Sequence, residues 1–275
     1  MQEDDYPVAK WINRNGFYIA SHQDLTQTQK EYIVEVFQDY FSGKEFKSER
    51  SGLLVISKTD NEPDSISLQE TVDSIPLDIF DEFILVDDSK SDKIRSFFRQ
   101  RGFKVVYGAQ GKGHALQLGI NECKSENIIV MGIGGSDDVR NLDEMLINLK
   151  KGVELVIASR FLVGGGRATD ESSISFRSIG NRFFTFLLSI VYDKNVTDCN
   201  NCLRGFKRKA IVNLNLKEKG DGVFFEMTAR SLLKNLKFIE IPTFEKRNII
   251  SVRSKRRFIS AFLFVWILLK QIARK

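Results

Sequence analysis

Cysteine is scarce in this 275-residue chain, limited to Cys123, Cys199 and Cys202, and histidine is scarcer, limited to His22 and His114. An odd number of thiols, with no secretory signal at the N-terminus, argues against a disulfide-stapled fold and for a reducing cytoplasm. Cys199-Asn200-Asn201-Cys202 has the spacing of a redox or zinc pair. Zinc needs two further ligands that the sequence hardly supplies, so both thiols are expected to be plain loop residues. Long apolar runs are lacking too. Residues 258–269 are almost all apolar, with Trp266 among them, but as a helix they span about 18 Å against a hydrocarbon core of roughly 30 Å. Acidic residues are missing from 253–275, which holds seven Lys or Arg, so the formal charge of +5 belongs to that segment and the rest is slightly acidic. This excludes a nucleic-acid-binding face spread over the body and predicts an anionic partner near the C-terminus. No internal repeat is evident.

What is present is material for a core. With 42% hydrophobic and 28% charged residues the chain reads as globular rather than disordered. From Gly52 onward, short continuous apolar runs at 53–56, 83–86, 104–107, 127–131 and 154–158 alternate with helical periodicity. Such runs predict an α/β fold with a mainly parallel sheet covered by helices on both faces. Ligands of these sheets sit at the carboxyl ends of the strands, and the polar motifs lie there.

Three of those motifs stand in fixed order: Asp87-Asp88-Ser89-Lys90-Ser91-Asp92, then Gly111-Lys112-Gly113-His114-Ala115, then the stretch from Ile128 to Asp138. Together they resemble the donor half of a family 2 glycosyltransferase, most closely the dolichyl- or polyprenyl-phosphate sugar synthases. The resemblance implies the A-type (GT-A, Rossmann-like) fold over roughly residues 51–252. It also implies that Glu62, Asp87, Asp88, Lys112, Gly113, Gly132, Gly134 and Lys255 contact a nucleotide-diphosphate sugar, with Asp88 reading the base. A carboxylate suits that task because a base edge presents N–H donors. Asp88 and its neighbours also suit the N-cap and first turn of the next helix.

Downstream, Ala158-Ser159-Arg160-Phe161, Thr197-Asp198, Arg204-Gly205-Phe206-Lys207-Arg208 and Phe224-Phe225-Glu226 continue the resemblance. It implies acceptor contacts from Arg160, Arg177 and Asn181, and catalytic roles among Asp137, Asp138, Asp198, Arg204 and Glu226. The reaction implied is a single inverting displacement onto a polyprenyl phosphate or another lipid or glycan acceptor. One departure bears on the chemistry. Where the family carries two metal-binding carboxylates around one residue, this chain reads Gly132-Ile133-Gly134, leaving Asp137 and Asp138 as the nearest acids for Mg²⁺ or Mn²⁺. The alternative is a degenerate homologue that binds nucleotide or a partner without turnover.

Residues 1–50 have another character. Asn15-Gly16-Phe17-Tyr18-Ile19, His22-Gln23-Asp24-Leu25 and the run from Tyr32 to Phe37 resemble the extreme C-terminus of sugar aminotransferases that use pyridoxal phosphate. The body of such an enzyme is absent, so no pyridoxal chemistry is expected. Thr26-Gln27-Thr28-Gln29 reads as a capping box opening an amphipathic helix. Residues 253–275 are expected to form a basic, apolar helix on an anionic membrane surface, which places the protein peripherally on the cytoplasmic face. The same helix is also suited to packing in a homo-oligomer.

Overall fold

The computed structural model describes residues 25–42, 49–57, 65–88, 92–134, 136–167 and 176–246. Glu62, Arg253, Lys255, the side chain of Arg177, the basic 253–275 segment and most of the aminotransferase-like stretch lie outside them. The chain divides into two compact units, 1–46 and 47–275. In the first, helix α1 (Gln27–Phe41) opens on the capping box: Gln29 N donates to Thr26 Oγ1 at 3.2 Å, and Thr26 N donates to Gln29 Oε1 at 2.8 Å.

The second unit alternates strand and helix: β1 (Ser51–Ser57), α2 (Ser65–Asp73), β2 (Glu82–Asp87), α3 (Asp92–Arg99), β3 (Lys104–Tyr107), α4 (Lys112–Glu122), β4 (Asn127–Gly132), α5 (Leu142–Lys150) and β5 (Leu155–Ser159). It continues with β6 (Gly166–Arg167), α6 (Phe176–Tyr192), β7 (Arg204–Lys207), α7 (Arg208–Leu214), α8 (Val223–Leu233), β8 (Phe238–Pro242) and β9 (Phe244–Glu245). The seven-stranded sheet runs β3-β2-β1-β4-β7-β5-β8, and β6 pairs with β9 apart from it. Six strands run the same way; β7 is antiparallel to both its neighbours.

The central strands β1, β2, β4 and β5 are apolar through their middles because both faces are covered. Leu53 and Val55 face one core with Val72, Phe98 and Met145. Leu54 and Ile56 face another with Leu116, Phe206 and Met227. Helix α4 lies directly on β1, since a Cβ at Gly119 would stand 2.3 Å from Leu54 Cδ1. A third cluster joins Phe184, Leu188 and Tyr192 of α6 to Phe225 and Ala229 of α8. This mixed sheet with its strand order is the GT-A-type architecture expected from the sequence. Among the described residues no helix is long and apolar enough to cross a membrane.

Candidate active site

The carboxyl ends of β1, β2 and β4 meet in register: Ser57 is opposite Asp87, and Ile56 is opposite Gly132. Ser57 is fully buried and its hydroxyl has no partner among the described residues, an acceptor and donor left for whatever occupies this edge. Asp87 is buried, with Arg95 Nη1 at 3.4 Å, and Arg95 is held in turn by Asp92 in the first turn of α3. Asp92 is thus the first-turn acid that the sequence also allowed. Asp88 differs. It is partly exposed, one carboxylate oxygen accepts Gly111 N–H at 3.2 Å, and the other has no partner among the described residues.

The Gly-Lys-Gly segment packs against another loop of the chain. Gly111 adopts φ 105°, which a β-carbon disfavours, and opens α4. The first amides of α4 are taken by the chain itself: Gly113 N–H donates to Gly220 O at 3.1 Å and His114 N–H to Lys219 O at 3.0 Å. A Cβ on Gly113 would stand 2.1 Å from Glu218 O, so this glycine admits the 217–221 loop. Glu226 fastens that loop, its Oε2 accepting Lys217 N–H at 2.9 Å and Glu218 N–H at 2.7 Å while Oε1 pairs with Arg230 at 2.7 Å. Glu226 is buried and committed. Lys112 stays a third exposed, 3.9 Å from Asp221.

At the end of β4, Gly132 and Gly134 offer no side-chain oxygen. The chain instead turns back so that Asp137 Oδ2 accepts Gly132 N–H at 2.8 Å, close to where a residue-132 side chain would begin. Burial pushes the Asp137 carboxyl up to about 6; the Gly132 N–H opposes this, nearby Glu245 adds to it, and Arg160 and Lys112 oppose it. Asp138, the other acid expected here, is buried and capped instead. Its Oδ1 accepts Arg140 N and Nε, and its Oδ2 pairs with Arg140 Nη2 at 2.7 Å. Burial would raise its pKa, but the Arg140 contacts hold it below the usual range.

On the far side of β5, Asp198 is fully buried and receives Arg160 Nε at 2.6 Å, Arg160 Nη2 at 2.9 Å and Asn181 Nδ2 at 2.8 Å. Arg160 Nη1 reaches Glu245 at 3.2 Å. Three residues named from sequence, Arg160, Asn181 and Asp198, are therefore one network, but its carboxylate is a clamp for the arginine. Arg177 begins α6 near them in sequence. Arg204 is wholly buried, donating to Asn201 O, Thr228 Oγ1 and Cys199 O at 2.7, 2.8 and 2.7 Å. It shapes the 199–201 turn and shows no face to a ligand. Burial draws its pKa down to about 10.

The paired thiols lie in a turn between α6 and β7, as expected. Cys199 is buried beside Thr185, and burial raises both Cys199 and Cys202 to about 12, the opposite of a reactive thiol. No group of three or more metal-ligating side chains occurs among the described residues. Glu240 and Glu245 were missed in the sequence. Glu240 accepts Thr197 N and Oγ1 and Asp198 N at 2.8, 2.8 and 2.9 Å, fixing the turn that delivers Asp198. No short motif marks either residue.

The profile of the family described as "Glycosyl transferase family 2" matches residues 55–214. No curated protein sequence matches the chain. Among solved structures, glucosyl-3-phosphoglycerate synthase from Mycobacterium tuberculosis with Mn²⁺, uridine diphosphate and glucosyl-3-phosphoglycerate is similar in fold. It aligns with TM-score 0.63 and 13% identity, covering 92% of this chain and 86% of that one. The same enzyme with uridine diphosphate alone gives TM-score 0.60 and 15% identity over 92% and 86%. A further mycobacterial protein gives 0.59 and 14% over 91% and 79%.

Proposed function

Because the chain belongs to glycosyl transferase family 2, we propose that it moves a sugar from a nucleoside-diphosphate donor, bound at the carboxyl edge of the sheet, onto a polyprenyl phosphate at the membrane surface. The observation that carries the donor half is Asp88. One of its oxygens is anchored to Gly111 N–H, and the other, without a partner among the described residues, is the one assigned to a base N–H. Ser57 stands opposite Asp87 on the neighbouring strand, and Lys112 follows Gly111 directly in the chain.

A divalent cation fits this edge in a limited way. Mg²⁺ or Mn²⁺ in nucleotide sites takes one or two carboxylates and completes its shell with diphosphate oxygens. Asp137 offers one carboxylate at the end of β4 and lies near Glu245. Asp138 is spent on Arg140, and Gly132 and Gly134 contribute none. When bound, the ion supplies Lewis-acid neutralisation of the departing diphosphate.

The acceptor half rests on proton demand. A sugar hydroxyl needs a carboxylate base, whereas a phosphate monoester, with its second pKa near 6, is already a nucleophile at neutral pH. The two acids named for such a base, Asp198 and Glu226, are buried and engaged by Arg160 and by loop amides. A phosphate acceptor removes the need for either of these two acids to act as a base. Residues 253–275 supply the cationic, apolar segment that holds the protein peripherally on the inner membrane face.

The test is a calorimetric panel of UDP-, GDP- and TDP-sugars with and without Mn²⁺, followed by transfer assays onto polyprenyl phosphate and onto phosphoglyceric acid, the ligand named for a structural neighbour. Binding followed by transfer to the lipid supports the proposal. Binding without turnover on either acceptor favours the degenerate reading, transfer to phosphoglyceric acid alone corrects the acceptor, and no binding removes the donor site.

A further inference from the structure

Helix α6 has two apolar faces, and among the described residues only one of them is covered. Phe184, Leu188 and Tyr192 pack against α8. Phe183, Phe186 and Ile190 point the other way and are 55%, 62% and 62% exposed. Their spacing of three and four places them along one stripe. The helix carries Arg177 and Arg182 and no acid over its whole length. Arg182 sits at the side of the stripe with its guanidinium 4.9 Å from the Phe161 ring centroid.

We propose that the outer face of α6, through Phe183, Phe186 and Ile190, docks on an anionic lipid surface. This deepens the lipid-acceptor reading above and rests on it. A second copy of the chain is a poor occupant for two reasons. The stripe amounts to roughly 300–350 Å², well under the ~800 Å² per partner of a stable dimer. Pairing about a two-fold axis would also bring Arg182 toward its own copy with no carboxylate on the helix to meet it. A lipid interface suits both features, since it takes large apolar side chains into the acyl boundary and attracts the flanking cations.

Position adds a reason. Asn181, two residues before Phe183, is bonded to Asp198 and hence to Arg160. One helix therefore presents a site residue on its inner side and the stripe on its outer side. An acceptor whose phosphate must enter the protein while its tail stays in the bilayer requires that adjacency. In sequence the stripe is distinct from the basic residues 253–275, and salt distinguishes their contributions, because screening weakens attraction between charges and leaves apolar insertion in place.

The experiment is flotation of the full chain with vesicles of phosphatidylcholine alone and with about one-third phosphatidylglycerol, at low and high salt. The triple variant Phe183→Ser, Phe186→Ser, Ile190→Ser is compared with wild type. These side chains are exposed, so the fold and calorimetric nucleotide binding are retained. We expect the variant to lose roughly a hundredfold in partitioning onto anionic vesicles, and to keep that deficit at high salt. Equal partitioning of the two proteins overturns the inference. So does wild type that fails to float with either vesicle, or a concentration-dependent dimer that the triple variant abolishes. Failure of nucleotide binding by wild type would count against the donor reading and leaves the flotation result to be judged separately.

Discussion

The carboxylate of Asp137 closes back on Gly132, accepting its backbone N–H at 2.8 Å five residues away. A glycine at the strand end and an acid beyond the turn thus share one position. Asp138, next in sequence, faces Arg140 instead. Asp137→Asn should therefore weaken Mn²⁺ binding in the presence of nucleoside diphosphate by about tenfold or more, whereas Asp138→Asn should leave it unchanged. Titration of the Mn²⁺ electron-paramagnetic signal measures both, and equal effects of the two variants would refute the assignment.

Asp88→Ala should abolish measurable nucleotide binding by removing a base acceptor worth about 1–3 kcal/mol together with the anchor of Gly111. Asp92→Ala should weaken it less, because Asp92 acts only through Arg95. Isothermal calorimetry with the best nucleotide of the panel ranks them; the reverse order would remove the role of Asp88.

Glu226 tests structure against catalysis. Glu226→Ala leaves two loop amides and Arg230 without their acceptor, and a loss of about 3–5 kcal/mol is expected in urea unfolding. Were Glu226 a base, Glu226→Gln would remove turnover while barely affecting stability. The expected result is partial loss of stability with an unchanged pH–rate profile.

Gly113→Ala addresses the same loop from the other side. The new Cβ would press on Glu218 O, and overpacking against backbone costs about 1–3 kcal/mol. A lower urea midpoint is expected; an unchanged one would show that the loop moves aside freely.

Asp198 gives a pH dependence. Burial would raise its pKa, but the bidentate Arg160 contact and Asn181 outweigh burial and hold it below the ordinary value. A carboxylate depressed in the folded state stabilises above its unfolded pKa, about 3.9, and that contribution is lost as pH falls through the folded value. Urea midpoints should thus drop on the acid side of pH 4, and Asp198→Asn, less stable at pH 7, should drop less steeply.

The parallel strands were legible because a strand buried on both faces has no polar positions to interrupt it. The runs 53–56 and 83–86 fall inside β1 and β2, which extend beyond them by one or two residues at each end. The capping box of α1 was legible because its partners are three residues apart. Arg204, Asp198 and Glu226 were read as chemistry because a motif names residue types and not their partners. Arg204 meets Thr228, and Asp198 meets Arg160, 24 and 38 residues away. The seating of the 217–221 loop on the first turn of α4 had no signal, since those contacts are backbone amides and carbonyls, which every sequence possesses.

Strand β7 lies between β4 and β5 and is the only strand that bonds to both. During synthesis, β1 to β4 can assemble in the order they leave the ribosome, but β5 emerges about fifty residues before the strand that attaches it to them. Until Arg204 to Lys207 arrives, the backbone groups of β4 and β5 that β7 will bond lack those partners. The nascent chain thus carries unpaired strand edges at mid-translation, and closing them late is a cost of placing a later strand between two earlier ones.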